Sequence, residues 1–176
     1  MPPRLVPPTA SLHRSFVGAM GEFEAEGLDP VDAASLVGEL DLGDERGFAA
    51  YVAVLIAQSL EDAPRPAGWV PATILWWVDG PDFLGRLAIR HRLTPGLREI
   101  GGHIGYAVRP SARRRGHATA MLAAALPIAH QLGIDPALVT CDVTNIGSRK
   151  VIEANGGVLE DERGGKRRYW VPTGPR

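Results

Sequence analysis

A chain of 176 residues with 45% hydrophobic and 22% charged side chains has ordinary globular usage and is long enough for one sizeable core, so a single soluble domain over residues 1–176 is expected. Its one cysteine, Cys141, excludes a disulfide framework within the chain, and no metal centre is expected. A net charge of −1 without basic excess argues against nucleic acid, and no apolar run is long enough for a signal peptide or a bilayer span, so no membrane partner and a cytoplasmic location are expected.

The charge is unevenly placed. Residues 1–62 carry 11 Asp/Glu against 3 Lys/Arg, a balance of −8, while residues 63–176 carry 9 against 16, a balance of +7. Such halves steer a cationic amine to one side and a polyanion to the other, or are simply two solvated faces.

Prolines around residues 4–6 permit at most an edge strand. Thr9 or Ser11 then starts a helix with Leu12, Phe16, Ala19, Met20 and Phe23 on its apolar face, stopped by Gly27 and Pro30. Residues 31–42 are turn-rich or a short helix. Asp44 caps a helix carrying Phe48, Tyr51, Val52, Leu55, Ile56 and Ser59. After a Pro-rich loop at 63–68, three strands are expected at 69–78, 83–90 and 100–108, joined as an antiparallel meander. Trp69, Trp76 and Trp77 read as core and pocket wall. From Ala118 the apolar period becomes three and four, through Met121, Leu122, Ala125, Ala129 and Leu132, which is a helix with a kink expected at Pro127 and a stop at Gly133. Residues 137–143 follow as a strand that a helical crossover places parallel to 100–108. Thr144 or Asn145 caps a short helix closed by Asn155-Gly156-Gly157, and residues 158–160 and 167–171 form a last hairpin through Arg163-Gly164-Gly165.

Between the third strand and the long helix lies Arg113-Arg114-Arg115-Gly116-His117-Ala118-Thr119. The first N–H groups of a helix lack carbonyl partners, and Gly116 admits a backbone conformation that lets several of them converge on one oxygen cluster. This is an anion site suited to pyrophosphate. It has neither the Gly-Lys-Ser/Thr of a P-loop nor the three glycines of a dinucleotide fold.

The pattern Arg113-x-x-Gly116-x-Ala118 after a strand resembles the acyl-CoA signature Q/R-x-x-G-x-G/A of the GNAT N-acetyltransferase superfamily. The order of elements from about residue 67 onward is also similar to that fold. The resemblance implies an α/β (α+β) architecture: a mixed, mostly antiparallel central sheet flanked by helices, with a splayed parallel strand pair and an acyl-CoA-binding core at about 100–157. It implies acetyl-CoA as cosubstrate, pantetheine paired with Ala107 and Val108, and pyrophosphate held by the N–H groups of Arg113 to Thr119, with Arg114 and Arg115 adding charge at the rim. Asn145-x-x-Ser148 looks like the family's Asn-x-x-Ala/Ser segment, so that Asn145 is a cofactor contact, a helix cap, or both, and Ser148 a polar contact near the thiol. The family's frequent tyrosine seven residues after the Asn is Ile152 here.

The implied reaction is direct attack of a neutral amine on the thioester carbonyl. His103 is the candidate general base, of suitable pKa class, or else a half-buried structural histidine. Tyr106 and Tyr169 are candidate donors to the leaving thiolate. The acceptor is expected to be a small-molecule amine or free amino group, and a homodimer is compatible with the sequence. The alternative reading is an acyl-CoA-binding sensor or partner module without transfer activity.

Overall fold

The computed structural model describes residues 2–28 and 40–175. Of the segment 31–42, residues 31–39 lie outside the described residues. The first helix begins as a 3-10 turn at Ala10–Leu12, with Thr9 accepting the Ser11 N–H, and continues as α1, His13–Ala25. Asp44 caps α2, Glu45–Ala57, by accepting the N–H groups of Arg46 and Gly47. Two expected core positions are not buried: Ile56 is 51% exposed, and Leu132, which follows the end of the long helix, is 39% exposed.

The first sheet is antiparallel throughout, in the order β1 (Arg4–Val6), β2 (Ala72–Asp79), β3 (Asp82–Arg90), β4 (Ile104–Val108). One extra residue on β3 shifts the register between Trp77 and Val78. That bulge reverses which face β3 presents. Leu87 and Ile89 therefore point into one core with Leu75 and Trp77, whereas Phe83 joins Trp76 and Val78 in a second core under α1 and α2. In the second core Phe16 stacks on Trp76 at 5.0 Å and Phe83 meets Trp76 edge-on at 5.4 Å. Such pairs add about 0.5–1.5 kcal/mol each beyond burial and fix both helices to the sheet.

The long helix, α4 (His117–Gln131), covers the other face through Met121, Leu122, Ala125 and Ala129. It is continuous through Pro127. Pro127 and Ala123, whose carbonyl loses its bond there, are both exposed, so water can satisfy that carbonyl. A second sheet then forms in the order β5 (Ala137–Asp142), β7 (Lys166–Val171), β6 (Val158–Arg163), with α5 (Ile146–Ala154) between β5 and β6.

The third strand is shorter than expected. Residues 95–99 form a short helix, α3 (Pro95–Glu99), capped by Thr94, and Gly101 and Gly102 follow at φ 105° and 60°, where strand pairing is impossible. β4 starts only at Ile104. Its root is tied to β5 by His103, whose N–H donates to the Leu138 carbonyl at 2.7 Å, while Tyr106 further along reaches Ser148 beyond the end of β5. The two strands thus run in the same direction yet belong to separate sheets, leaving an opening between them. No helix among the described residues is long and apolar enough to cross a membrane.

Candidate active site

The basic turn is built as an anion cradle. After Val108 the chain makes a 3-10 turn at Pro110–Ala112, extends at Arg113, enters the left-handed region at Arg114 (φ 60°) and returns to it at Gly116 (φ 81°), which caps α4. The N–H groups of residues 114 to 119 have no acceptor among the described residues, the first bond of the helix being Ala120 N–H to the Gly116 carbonyl at 3.1 Å. A Cβ at Gly116 would meet nothing within 4 Å. Gly116 is therefore required by its backbone angle, and the space above it is open.

Arg113 differs from its expected role. Its N–H donates to the Pro110 carbonyl at 3.2 Å, its Nη1 pairs with Glu26 at 2.7 Å, and its Nε donates to the Val108 carbonyl at 3.2 Å. It fastens the cradle to α1 rather than facing an anion, so the cradle begins at Arg114. Arg109 makes a second fastening to α1: it pairs with Glu22 at 2.7 Å, which also accepts the Ser111 N–H at 2.9 Å. Burial raises the Glu22 carboxyl, but the bonds from Ser111 and Arg109 outweigh it and leave the pKa lowered. Sequence reasoning missed this pair, because no local pattern links residues so far apart. Arg114 and Arg115 are exposed at the rim, and His117 Nδ1 accepts the Trp77 indole N–H at 3.3 Å.

Strand alternation decides which of the expected pantetheine partners are available. Arg109 N–H donates to the Leu84 carbonyl and Arg90 N–H to the His103 carbonyl, so the His103 carbonyl, the backbone groups of residues 105 and 107 and the Arg109 N–H face β3. Ala107 is thus committed to the ladder with Arg86. The groups of Tyr106 and Val108 face the opening toward β5, although the Val108 carbonyl already accepts from Arg113.

Three cavities meet at Tyr106. A groove of about 600 Å³ runs from the cradle past Phe23, Val108 and Asn145 to Ser148. A polar cavity of about 240 Å³ lies in the opening between β4 and β5, reaching Cys141 and Asp142. The third, about 290 Å³, lies between α2 and the sheet. The Tyr106 hydroxyl is 2.7 Å from Ser148 Oγ, and burial pushes its pKa up to about 12 against the opposing effect of that bond, so it holds its proton at neutral pH. Asn145 caps α5 by accepting the Ser148 N–H at 2.9 Å, and it lines both the groove and the polar cavity.

Two expected catalytic residues are elsewhere. His103 is 9% exposed, lines none of the three cavities, and its Nδ1 accepts the Leu138 N–H at 2.9 Å. Burial, and then Arg98 and Arg90, lower its pKa to about 4. In the neutral ring the other nitrogen carries the proton, so no lone pair remains for an incoming ammonium. Tyr169 is a core residue, 2% exposed, with its hydroxyl on Glu153 Oε1 at 3.3 Å. Ile152 is fully buried in the same core, and the phenol that reaches the cleft comes from β4 instead.

The sequence matches the Acetyltransferase (GNAT) domain family over residues 30–158. Comparison with curated proteins gives no match. Among solved structures, the fold is similar to that of the microcin C7 self-immunity acetyltransferase MccE in complex with acetyl-CoA and AMP, at 12% identity, TM-score 0.65, and coverage of 97% of this chain and 92% of that one. It is also similar to Mycobacterium smegmatis RimJ in complex with CoA-disulfide, at 19% identity, TM-score 0.62, and coverage of 95% and 79%. RimL, a ribosomal L7/L12 α-N-protein acetyltransferase solved with coenzyme A, matches at 17% identity, TM-score 0.60, and coverage of 97% and 92%. With more than half of its length matched by the family and its cradle, splayed strands and helix order all in place, the chain belongs to the GNAT acetyltransferase family.

Proposed function

We propose that this chain transfers the acetyl group of acetyl-CoA to an amine, a small molecule's or another free amino group, by direct attack. The observation that carries the reading is the row of N–H groups at 114–119, without acceptors among the described residues, opening into a groove that ends at the Tyr106–Ser148 hydrogen bond. Acetyl-CoA supplies the activated thioester. The cradle binds the pyrophosphate through several charge-assisted N–H bonds, since the helix dipole alone contributes only about 0.3–2 kcal/mol. The edge formed by the Tyr106 backbone and the Val108 N–H aligns the pantetheine arm, with Asn145 and Ser148 on the opposite wall.

Tyr106, protonated at neutral pH and anchored by Ser148, donates a hydrogen bond to the negative charge that develops at the thioester. Its high pKa makes it a stabiliser of that charge more than a proton source. His103 does not take the amine's proton; we assign that step to solvent in the cavities around Tyr106. Acceptors that are neutral near pH 7 should then react fastest.

The test is a melting experiment coupled to a CoA-release assay. At about a hundred times the dissociation constant, CoA or acetyl-CoA stabilises the native state by roughly 2.7 kcal/mol, which raises the melting temperature of a chain this size by roughly 5–10 °C. Absence of any shift refutes the cofactor reading. A shift without amine-dependent CoA release across a broad panel favours the non-catalytic acyl-CoA sensor.

A further inference from the structure

At neutral pH a basic amine arrives as an ammonium, so its acetylation releases a proton: the ammonium and acetyl-CoA give the amide, the CoA thiol and H⁺. One N–H proton must leave before the nitrogen has a lone pair for the thioester carbonyl. After the C–N bond forms and the C–S bond breaks, a second nitrogen proton ends on the sulfur. The first proton has to reach bulk solvent.

Few groups around Tyr106 can collect it. Of the described side chains lining the three cavities that meet there, the arginines and Lys166 are cations, and the two tyrosines are phenols. His117 gives its one lone pair to the Trp77 indole N–H at 3.3 Å, and burial pushes the Cys141 thiol up, so that it holds its own proton. Asp142 is the one carboxylate among those described lining residues. It ends β5, lines the polar cavity between β4 and β5, and has a side chain 58% exposed, so it reaches both the cavity and bulk solvent. Lys166 on β7 takes its Oδ1 at 2.5 Å, whereas its Oδ2 has no partner among the described residues.

The cavity between Tyr106 and this carboxylate is built to hold water. At about 240 Å³ it has room for several molecules, each of which needs two to four polar partners. Thr140 Oγ1 accepts the Gly101 N–H at 3.0 Å and keeps its own proton to donate. Asn145 spends Oδ1 on the Ser148 N–H at 2.9 Å and keeps its Nδ2 protons. Donors thus lie along the lining and an acceptor at its exposed end.

We infer that the polar cavity is the outlet for the ammonium proton, and that Asp142 collects this proton through cavity water and passes it to bulk solvent. The inference rests on the N-acetyltransferase reading above and names where the solvent step of that reading ends. Asp142 acts on the reacting nitrogen only through water, which is the reach a base needs.

The test uses the intact chain with acetyl-CoA and the best cationic acceptor of a broad amine panel, with CoA release and the CoA-induced melting shift as separate readouts. Asp142→Asn should lower kcat about a hundredfold, the low end for a positioned base, and leave KM for the amine within about threefold. It should keep the CoA-induced shift, since Asp142 does not line the groove. Lys166→Met breaks the same ion pair but keeps the carboxylate, and should lower kcat less than about fivefold, because exposed pairs contribute little. If the wild type shows no CoA shift, or no amine-dependent CoA release, the N-acetyltransferase reading has failed and the outlet falls with it. With both present in the wild type, the outlet alone is overturned by a kcat for Asp142→Asn within about threefold of wild type. It is also overturned by a loss that falls on KM, which would make Asp142 a binding group for the ammonium, by loss of the CoA-induced shift in Asp142→Asn, or by Lys166→Met costing as much as Asp142→Asn.

Discussion

His103 offers a test in which a structural and a catalytic histidine behave in opposite ways. Its ring accepts the Leu138 N–H at 2.9 Å at the root of β4, where the chain is fastened to β5. His103→Leu leaves that buried N–H unsatisfied and should cost about 1–3 kcal/mol. His103→Gln offers an amide oxygen to the same donor and should cost less. The titration adds a second signature. The folded-state pKa is lowered from 6.5 to about 4, so between these values the unfolded chain binds more protons than the folded one and stability falls as pH falls. At 1.36 kcal/mol per pKa unit the full shift from 6.5 to about 4 is about 3 kcal/mol, which screening by nearby solvent reduces to about 1–2 kcal/mol. Urea unfolding at pH 7.5 and pH 4.5 should therefore show the wild type losing about 1–2 kcal/mol more than His103→Gln. Carboxylates common to both proteins cancel in that difference. At neutral pH His103→Gln should keep kcat/KM within about tenfold. A stable His103→Gln variant that loses about 10²–10⁴-fold in kcat/KM, together with the acidic limb of the rate profile, would restore the base assignment and refute the structural role.

Gly116→Val should weaken CoA binding more than Arg114→Ala, because φ 81° suits no β-branched residue while Arg114 is an exposed rim charge; isothermal titration with CoA compares them, and a larger loss for Arg114→Ala would mean that side-chain charge holds the anion. Glu22→Gln should destabilise the chain by about 1–3 kcal/mol, since Arg109 is left partly buried without its carboxylate. Because the folded Glu22 pKa lies below its unfolded value of 4.5, this contribution is present above pH 4.5 and lost as pH falls through the folded value, and thermal melts of Glu22→Gln should lack that acid-dependent loss. Tyr106→Phe should lower kcat about 10–100-fold with the CoA-induced melting shift unchanged, as loss of one hydrogen bond to developing charge predicts. With the Tyr106 pKa near 12, the same variant should leave any rate limb between pH 7 and 10 in place.

Elements whose cause is local were legible in the sequence. Asp44 caps α2 because its own carboxylate reaches the N–H groups two and three residues on, and the Arg163–Lys166 hairpin closes through two glycines that permit a tight turn. The late start of β4 was not legible, because Ile100 and Ile104 fit one apolar strand pattern. The strand is delayed by Gly101 and Gly102 taking positive φ, so that the Gly101 N–H and the His103 backbone meet β5 instead of continuing the ladder. The bulge at Leu84 was hidden too. Phe83 and Leu87 share a parity in sequence and differ in core only because Leu84 between them is unpaired and shifts the register against β2.

The same division runs through the site. The cradle was legible down to Gly116 because a strand, a left-handed glycine and a helix start lie next to one another in the chain. The fate of Arg113 was not, since its partners Phe23 and Glu26 come from the last turn and the C-cap of α1, about ninety residues earlier, and a guanidinium takes whichever carboxylate the fold brings within reach. Histidine 103 misled for a related reason: its residue type suits acid–base work, but function depends on which ring nitrogen keeps a lone pair, and Leu138 on another strand decides that. Tyr106 shows the converse. Its alternation with Ile104 and Val108 marked it as half-buried, and what recommends it for the proposed site is that α5, capped by Asn145, carries Ser148 to within 2.7 Å of its hydroxyl. The chemistry proposed for this chain therefore sits where two strands that begin together are forced apart, and a sequence reveals the strands more readily than the angle between them.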